Sequence, residues 1–91
     1  MNWRNYRNIE KENIDALIFN YNHHKRSSEL KPLLKKGEIL GNAFKHKVQI
    51  AFNAIEGKFK VNTTIWATTE KYIVLKGGVC IPIDCVEYIS L

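Results

Sequence analysis

The sequence predicts one α+β domain over residues 1–91, an N-terminal amphipathic helix followed by five antiparallel strands that curl into a small barrel. Two observations carry this expectation. Residues 47–91 alternate apolar and polar side chains in short runs divided by turn residues, the pattern of strands with one buried face. Residues 9–21 carry their apolar side chains at helical spacing instead.

The chain opens with Trp3 and Tyr6 in an asparagine-rich stretch, and the two rings are expected to anchor it to the domain. Asn8 has the chemistry of a helix N-cap, which would put Glu10 and Glu12 in the first turn, where the helix dipole favours negative charge. Ile14, Leu17, Ile18 and Tyr21 then form an apolar stripe flanked by Ala16 and Phe19, predicting a helix from Ile9 to Tyr21. So short a helix is marginal alone, so it is expected to dock on the end of the barrel. Residues 22–28 read as a polar loop. Between Ser28 and Gly37, serine before, proline within and glycine after suit a short helix, while Lys36-Gly37-Glu38 equally suits a turn into a strand. The reading adopted is a helical turn over Pro32–Lys36 and an extended segment over Glu38–Phe44.

In residues 48–54, Val48, Ile50, Phe52 and Ala54 share a face, and Glu56-Gly57 supplies a turn. Over residues 58–68, Phe59, Val61, Ile65 and Ala67 take one face and Lys58, Lys60, Asn62, Thr64 and Trp66 the other. Residues 72–76 are apolar on both faces except at the ends, as in a covered strand, and Gly77-Gly78 signals a two-residue hairpin. In the return strand over residues 79–83, Pro82 lacks a donor for the ladder and predicts an edge or a sharp bend. Asp84-Cys85 turns the chain into a last strand over residues 86–91.

The chain has no run apolar enough to cross a bilayer and no signal-peptide pattern, so a cytoplasmic location is the expectation. Cys80 and Cys85, five apart on adjoining strands, read as buried thiols and not as a secreted disulfide framework. The formal net charge of +5 is uneven: residues 1–46 hold nine Lys or Arg against five Asp or Glu, whereas residues 47–91 hold five against four. The excess lies in His23-His24-Lys25-Arg26 and in Lys31, Lys35 and Lys36, either a solvated surface or a magnet for phosphates and acidic partners.

Neither cysteine has a histidine near it in sequence, His23, His24 and His46 lack metal-ligand spacing, and no glycine cluster precedes a helix as a phosphate-cradling loop would. No catalytic residues, metal or cofactor are therefore expected, and a binding surface is the more economical idea. Lys58, Lys60 and Trp66 lie on one strand face, with Lys45 and Lys47 at the start of its neighbour. Such a set pairs cations with phosphate and stacks an aromatic ring on a base. The competing reading packs Trp66 under the helix and leaves the lysines as solubilising groups.

Two blocks carry a resemblance to a known family. Tyr6-Arg7-Asn8-Ile9 with Ile14-Asp15-Ala16-Leu17, and Glu70–Leu75 with Ile81–Ile89, resemble the opening motif and closing strands of the bacterial Rho-inhibitor family called Rof, and more distantly Sm-like barrels. The resemblance implies a helix followed by a small five-stranded Sm-like or SH3-like barrel that binds the RNA-binding surface of the termination factor Rho. It also implies that Asp15 sits at the family's acidic contact position, with Glu12 one turn earlier. The chain departs from that pattern with Lys11 in place of a cysteine, Ile18 in place of a glutamate, and a basic charge where members are acidic.

The functional expectation is thus a non-enzymatic cytoplasmic binding module in RNA metabolism or transcription termination. It would act on a protein partner through Glu12 and Asp15, or on RNA through Lys45, Lys47, Lys58, Lys60 and Trp66. The alternative is an interaction domain without nucleic-acid affinity that self-associates or pairs by a strand edge.

Overall fold

The computed structural model describes residues 6–21 and 27–91. In chain order these form strand β1 (Arg7–Asn8), a 3-10 turn (Lys11–Ala16), helix α1 (Ser27–Phe44), strands β2 (Val48–Ala54), β3 (Gly57–Thr63), β4 (Ile65–Thr68), β5 (Tyr72–Leu75) and β6 (Cys80–Pro82), a second 3-10 turn (Ile83–Cys85), and β7 (Val86–Ser90). The class is α+β, as expected. The strands form a four-stranded sheet ordered β1-β3-β2-β7 and a three-stranded sheet ordered β4-β5-β6. All pairings are antiparallel except that of β1 with β3.

The helix lies elsewhere than its periodicity suggested. Residues 9–21 hold only the six-residue 3-10 turn, after which Leu17 is extended with ψ 155. The reason is competition for backbone groups. Ile18 O accepts from the Ile55 amide at 2.8 Å, Asn53 O accepts from Asn20 at 3.2 Å, and Phe19 bridges to Ala54. The Ile18 amide itself donates to the Glu56 carboxylate at 3.1 Å. These groups are satisfied by the β2–β3 hairpin, so no i→i−4 ladder is needed. The apolar spacing suits this course too, because Ile14 is fully buried, Leu17 and Phe19 turn inward, and Ile18 and Tyr21 are exposed.

Where a short turn and an extended segment were expected, α1 runs unbroken through Pro32, Gly37 and Gly41. Its inward stripe is Leu30, Leu34, Gly37 and Gly41, at the i, i+4, i+7, i+11 spacing of one helix face. The glycines that looked like punctuation serve contact instead. A Cβ on Gly41 would lie 2.7 Å from the Ile65 carbonyl oxygen and 2.8 Å from Thr64 Cγ2, and one on Gly37 would lie 3.2 Å from Ile65 Cδ1. Tertiary packing outweighs the intrinsic cost of about 1 kcal/mol for each glycine in a helix interior.

The strand expectations fare better. β2, β5 and β7 fall where the alternation placed them, and Pro82 lies on β6, an edge of its sheet. The expected single strand over residues 58–68 divides at Thr64, so that β3 belongs to one sheet and β4 to the other. The glycine hairpin closes around three residues, since the Leu75 amide donates to Val79 O at 2.7 Å. Gly77 (φ 91) and Gly78 (φ 87) both occupy the left-handed region that glycine tolerates. One core cluster joins Ile14, Leu30 and Leu34 to Ile50, Phe52, Val61, Ile65, Ile73, Leu75, Ile81 and Ile83. Tyr6 anchors the opening segment as expected, its hydroxyl donating to Glu87 Oε2 at 3.0 Å. Trp3 lies outside the described residues. Of the two thiols, Cys85 is buried as expected, in the second 3-10 turn, whereas Cys80 is exposed on β6. Among the described residues no helix is long and apolar enough to cross a membrane.

A methyl group at Gly41 meets a backbone oxygen that cannot step aside. Gly41→Ala is therefore expected to lower the unfolding free energy by about 1–3 kcal/mol in urea melts, the reverse of the usual gain from removing a helix glycine. Gly37→Ala should be close to neutral, because the atoms it meets are side-chain ends. A second outcome concerns the Lys35–Glu38 ion pair within α1. Burial raises the Glu38 carboxyl, but the hydrogen bond from Lys35 at 2.8 Å and one from the Thr68 backbone outweigh it and hold the group below its ordinary value of 4.5. A lowered folded-state pKa stabilises at higher pH, and the contribution disappears as pH falls from the ordinary value through the lower folded one. Thermal melts over that acid window should show a steeper loss for the parent chain than for Glu38→Gln.

Candidate nucleic-acid interface

The end of α1 and the bend at Thr64 together build a groove. Three elements meet at the bend. Gly41 brings the helix against Thr64 and Ile65, the Lys76 amide donates to Thr64 O at 2.9 Å, and Asn42 Nδ2 donates to Trp66 O at 3.4 Å. Between them lies a cavity of about 360 Å³ lined by Gly41, Asn42, Lys45, Lys47, Thr64, Trp66 and Lys76. A smaller lobe of about 170 Å³ shares Lys47, Thr64 and Lys76 with it and is also lined by Ile9, Glu10, Lys11, Asn62 and Thr63.

The side chains of this groove are available. Trp66 is 49% exposed, because β4 turns it away from the core that Ile65 enters. Among the described residues, Lys45, Lys47 and Lys76 have no carboxylate within salt-bridge distance. Lys45 is also the one described non-glycine residue with positive φ, at 54°. The left-handed region costs an L-residue roughly 1–2 kcal/mol and at a helix end normally falls to glycine. Lys45 thus places an ammonium on the groove wall at some cost to the fold.

Of the residues singled out from sequence, Lys45, Lys47 and Trp66 come together here. Lys58 and Lys60 do not. Lys58 lies six strand residues before Thr64, about 20 Å at the usual rise. Its ammonium is 3.8 Å from Glu87 Oε1 and 5.7 Å from the centre of the Tyr6 ring. Lys60 stands in the middle of β3, and its carbonyl accepts from the Ile9 amide at 3.0 Å. Glu12 and Asp15 are exposed on the first 3-10 turn, not on a helix, and Glu12 pairs with Lys11 at 2.9 Å. That hydrogen bond holds the Glu12 carboxyl below its ordinary range.

Sequence reasoning missed Lys76, Asn42 and Lys11. Lys76 adjoins the Gly77-Gly78 hairpin, whose tip was legible, but its neighbours were set by the docking of that hairpin on Thr64. In the basic cluster, Lys31 pairs with Glu70 at 3.1 Å and Lys35 with Glu38, while residues 23–26 lie outside the described residues. Burial, then the neighbouring Asp84, pushes the Cys85 thiol up to about 11, so at neutral pH it is not a thiolate nucleophile. No family model matches the chain, and no curated protein and no solved structure compared with it matches either.

Proposed function

We propose that this chain is a non-enzymatic binding module that takes RNA in the groove between Lys45 and Trp66. The observation that carries the reading is that three lysines, with no carboxylate partner among the described residues, line one groove with a half-exposed indole. Cations held beside an aromatic face offer a phosphate and a base their preferred partners at once. The lysines on β3 are left out of the interface, since Lys58 is already engaged by Glu87 and Tyr6. The two sheets, joined through the bend at Thr64, are read as a small Sm-like or SH3-like barrel with α1 laid against it.

A second reading follows the resemblance to the Rho-inhibitor family. Residues three apart eclipse one another in a 3-10 turn, so Glu12 and Asp15 share one exposed side and offer a contact to Rho. Capture of purified Rho by the parent chain and its loss in Asp15→Ala would support this reading. Failure of the parent chain to capture Rho discards it.

For the groove, retention on an RNA column should be lost in Lys47→Glu/Lys76→Glu and unchanged in Lys36→Glu, a reversal on the exposed side of α1. With about three phosphates neutralised, log K should fall against log salt with a slope of roughly −2. Trp66→Ala should weaken binding by about 1–3 kcal/mol. Lys45→Gly should weaken it as well while raising the unfolding free energy by about 0.5–1 kcal/mol, since glycine accepts the left-handed backbone. Flow-through at low salt, or retention that survives the double reversal, removes the reading.

A further inference from the structure

The groove has two lobes of different chemistry sharing one wall. Trp66 belongs only to the larger lobe, with Gly41 and Asn42 beside it. The smaller lobe is lined mainly by polar groups: Glu10, Lys11, Asn62 and Thr63, with Ile9 beside them. Lys47, Thr64 and Lys76 line both. Two cations therefore stand where the compartments meet, with an aromatic face on one side and amide and hydroxyl groups on the other.

We infer that the groove holds a dinucleotide step of a single strand. This rests on the RNA reading above and deepens it by fixing the form of the ligand. One base stacks on Trp66 in the larger lobe, the phosphate that follows sits between Lys47 and Lys76, and the hydroxyls of the next ribose occupy the smaller lobe against Asn62 and the Glu10 carboxylate. A base inside a duplex is already stacked on its neighbours and presents only its edges, so its face is closed to Trp66. Apart from its terminal pairs, a duplex offers this site phosphates, ribose hydroxyls and base edges but no base face.

Several features of the fold suit that task. Lys76 is the first residue of the hairpin loop and is fixed at its root by the 2.9 Å bond from its amide to Thr64 O. Lys47 directly precedes β2, whose first residue, Val48, is buried. Both ammonium groups thus spring from ordered backbone, and binding has only the side chains to order.

The test is quenching of Trp66 fluorescence in a Trp3→Phe background, titrated at low salt with uridylyl-uridine, uridine 3′-monophosphate, a uridine hexamer, a blunt RNA duplex and inorganic tripolyphosphate. The hexamer should quench Trp66 saturably and bind at least tenfold more tightly than the duplex, and tripolyphosphate should displace it without quenching. Asn62→Ala should weaken uridylyl-uridine severalfold and leave the 3′-monophosphate unchanged, because only the longer ligand places a ribose in the second lobe. If hexamer and duplex bind equally and neither quenches Trp66, the site is a phosphate patch: the two-lobe inference fails while RNA binding stands. Equal weakening of both uridine ligands by Asn62→Ala also overturns it. Absence of binding by any of the five probes defeats the RNA reading itself.

Discussion

Everything around the groove depends on how closely α1 approaches the chain at Thr64–Ile65. A Cβ at Gly41 would come within 2.7 Å of a backbone oxygen, a separation only a residue without one permits. The same short stretch is where the strand leaves one sheet for the other, where Ile65 enters the core, and where the hairpin bearing Lys76 is tied down. Had the helix stood one methyl group further away, Asn42 and Lys45 would have moved with it. The sheet would still form, but the wall facing Trp66 would not be in place.

The groove inherits its charge from that geometry. Two lysines along the rest of α1 find carboxylates, Lys31 reaching Glu70 and Lys35 reaching Glu38, while Lys36 has none among the described residues. Those at the far end of the helix and at the hairpin tip find none among the described residues. Surface pairs of the first kind contribute little to stability and absorb the charge locally. Lysines of the second kind leave a field for a ligand to neutralise.

Strands were legible in the sequence because their signal is local. The alternation in residues 48–54, the glycine pair at 77–78 and the proline at 82 each state a constraint that distant residues do not reverse. The helix was not legible in the same way. The spacing of Ile14, Leu17, Ile18 and Tyr21 serves a turn followed by an extended segment as well as it serves a helix, and the choice was made by hydrogen bonds to Asn53, Ile55 and Glu56, more than thirty residues away in sequence. Pro32, Gly37 and Gly41 likewise look like boundaries until the sheet they pack against is known. Lys45, Lys47 and Trp66 were recoverable as chemistry, since a ring among cations is unusual in itself. Lys76 needed the docked hairpin, and separating Lys58 from the site needed the fold of Glu87 onto β3.

The pairing of β2 with β7 sets the order in which this chain can acquire its structure. β2 sits between β3, which follows it after a two-residue turn, and β7, which arrives more than thirty residues later. Closing so long a loop costs entropy before its contacts return anything, and chains rich in such distant pairings fold slowly. The β2–β3 hairpin and the helix can form early from neighbouring residues, yet one side of the central strand stays open until residues 86–90 arrive. Until then an uncovered β edge is presented to any other chain nearby, so the interval before closure is when this protein is most exposed to misassembly.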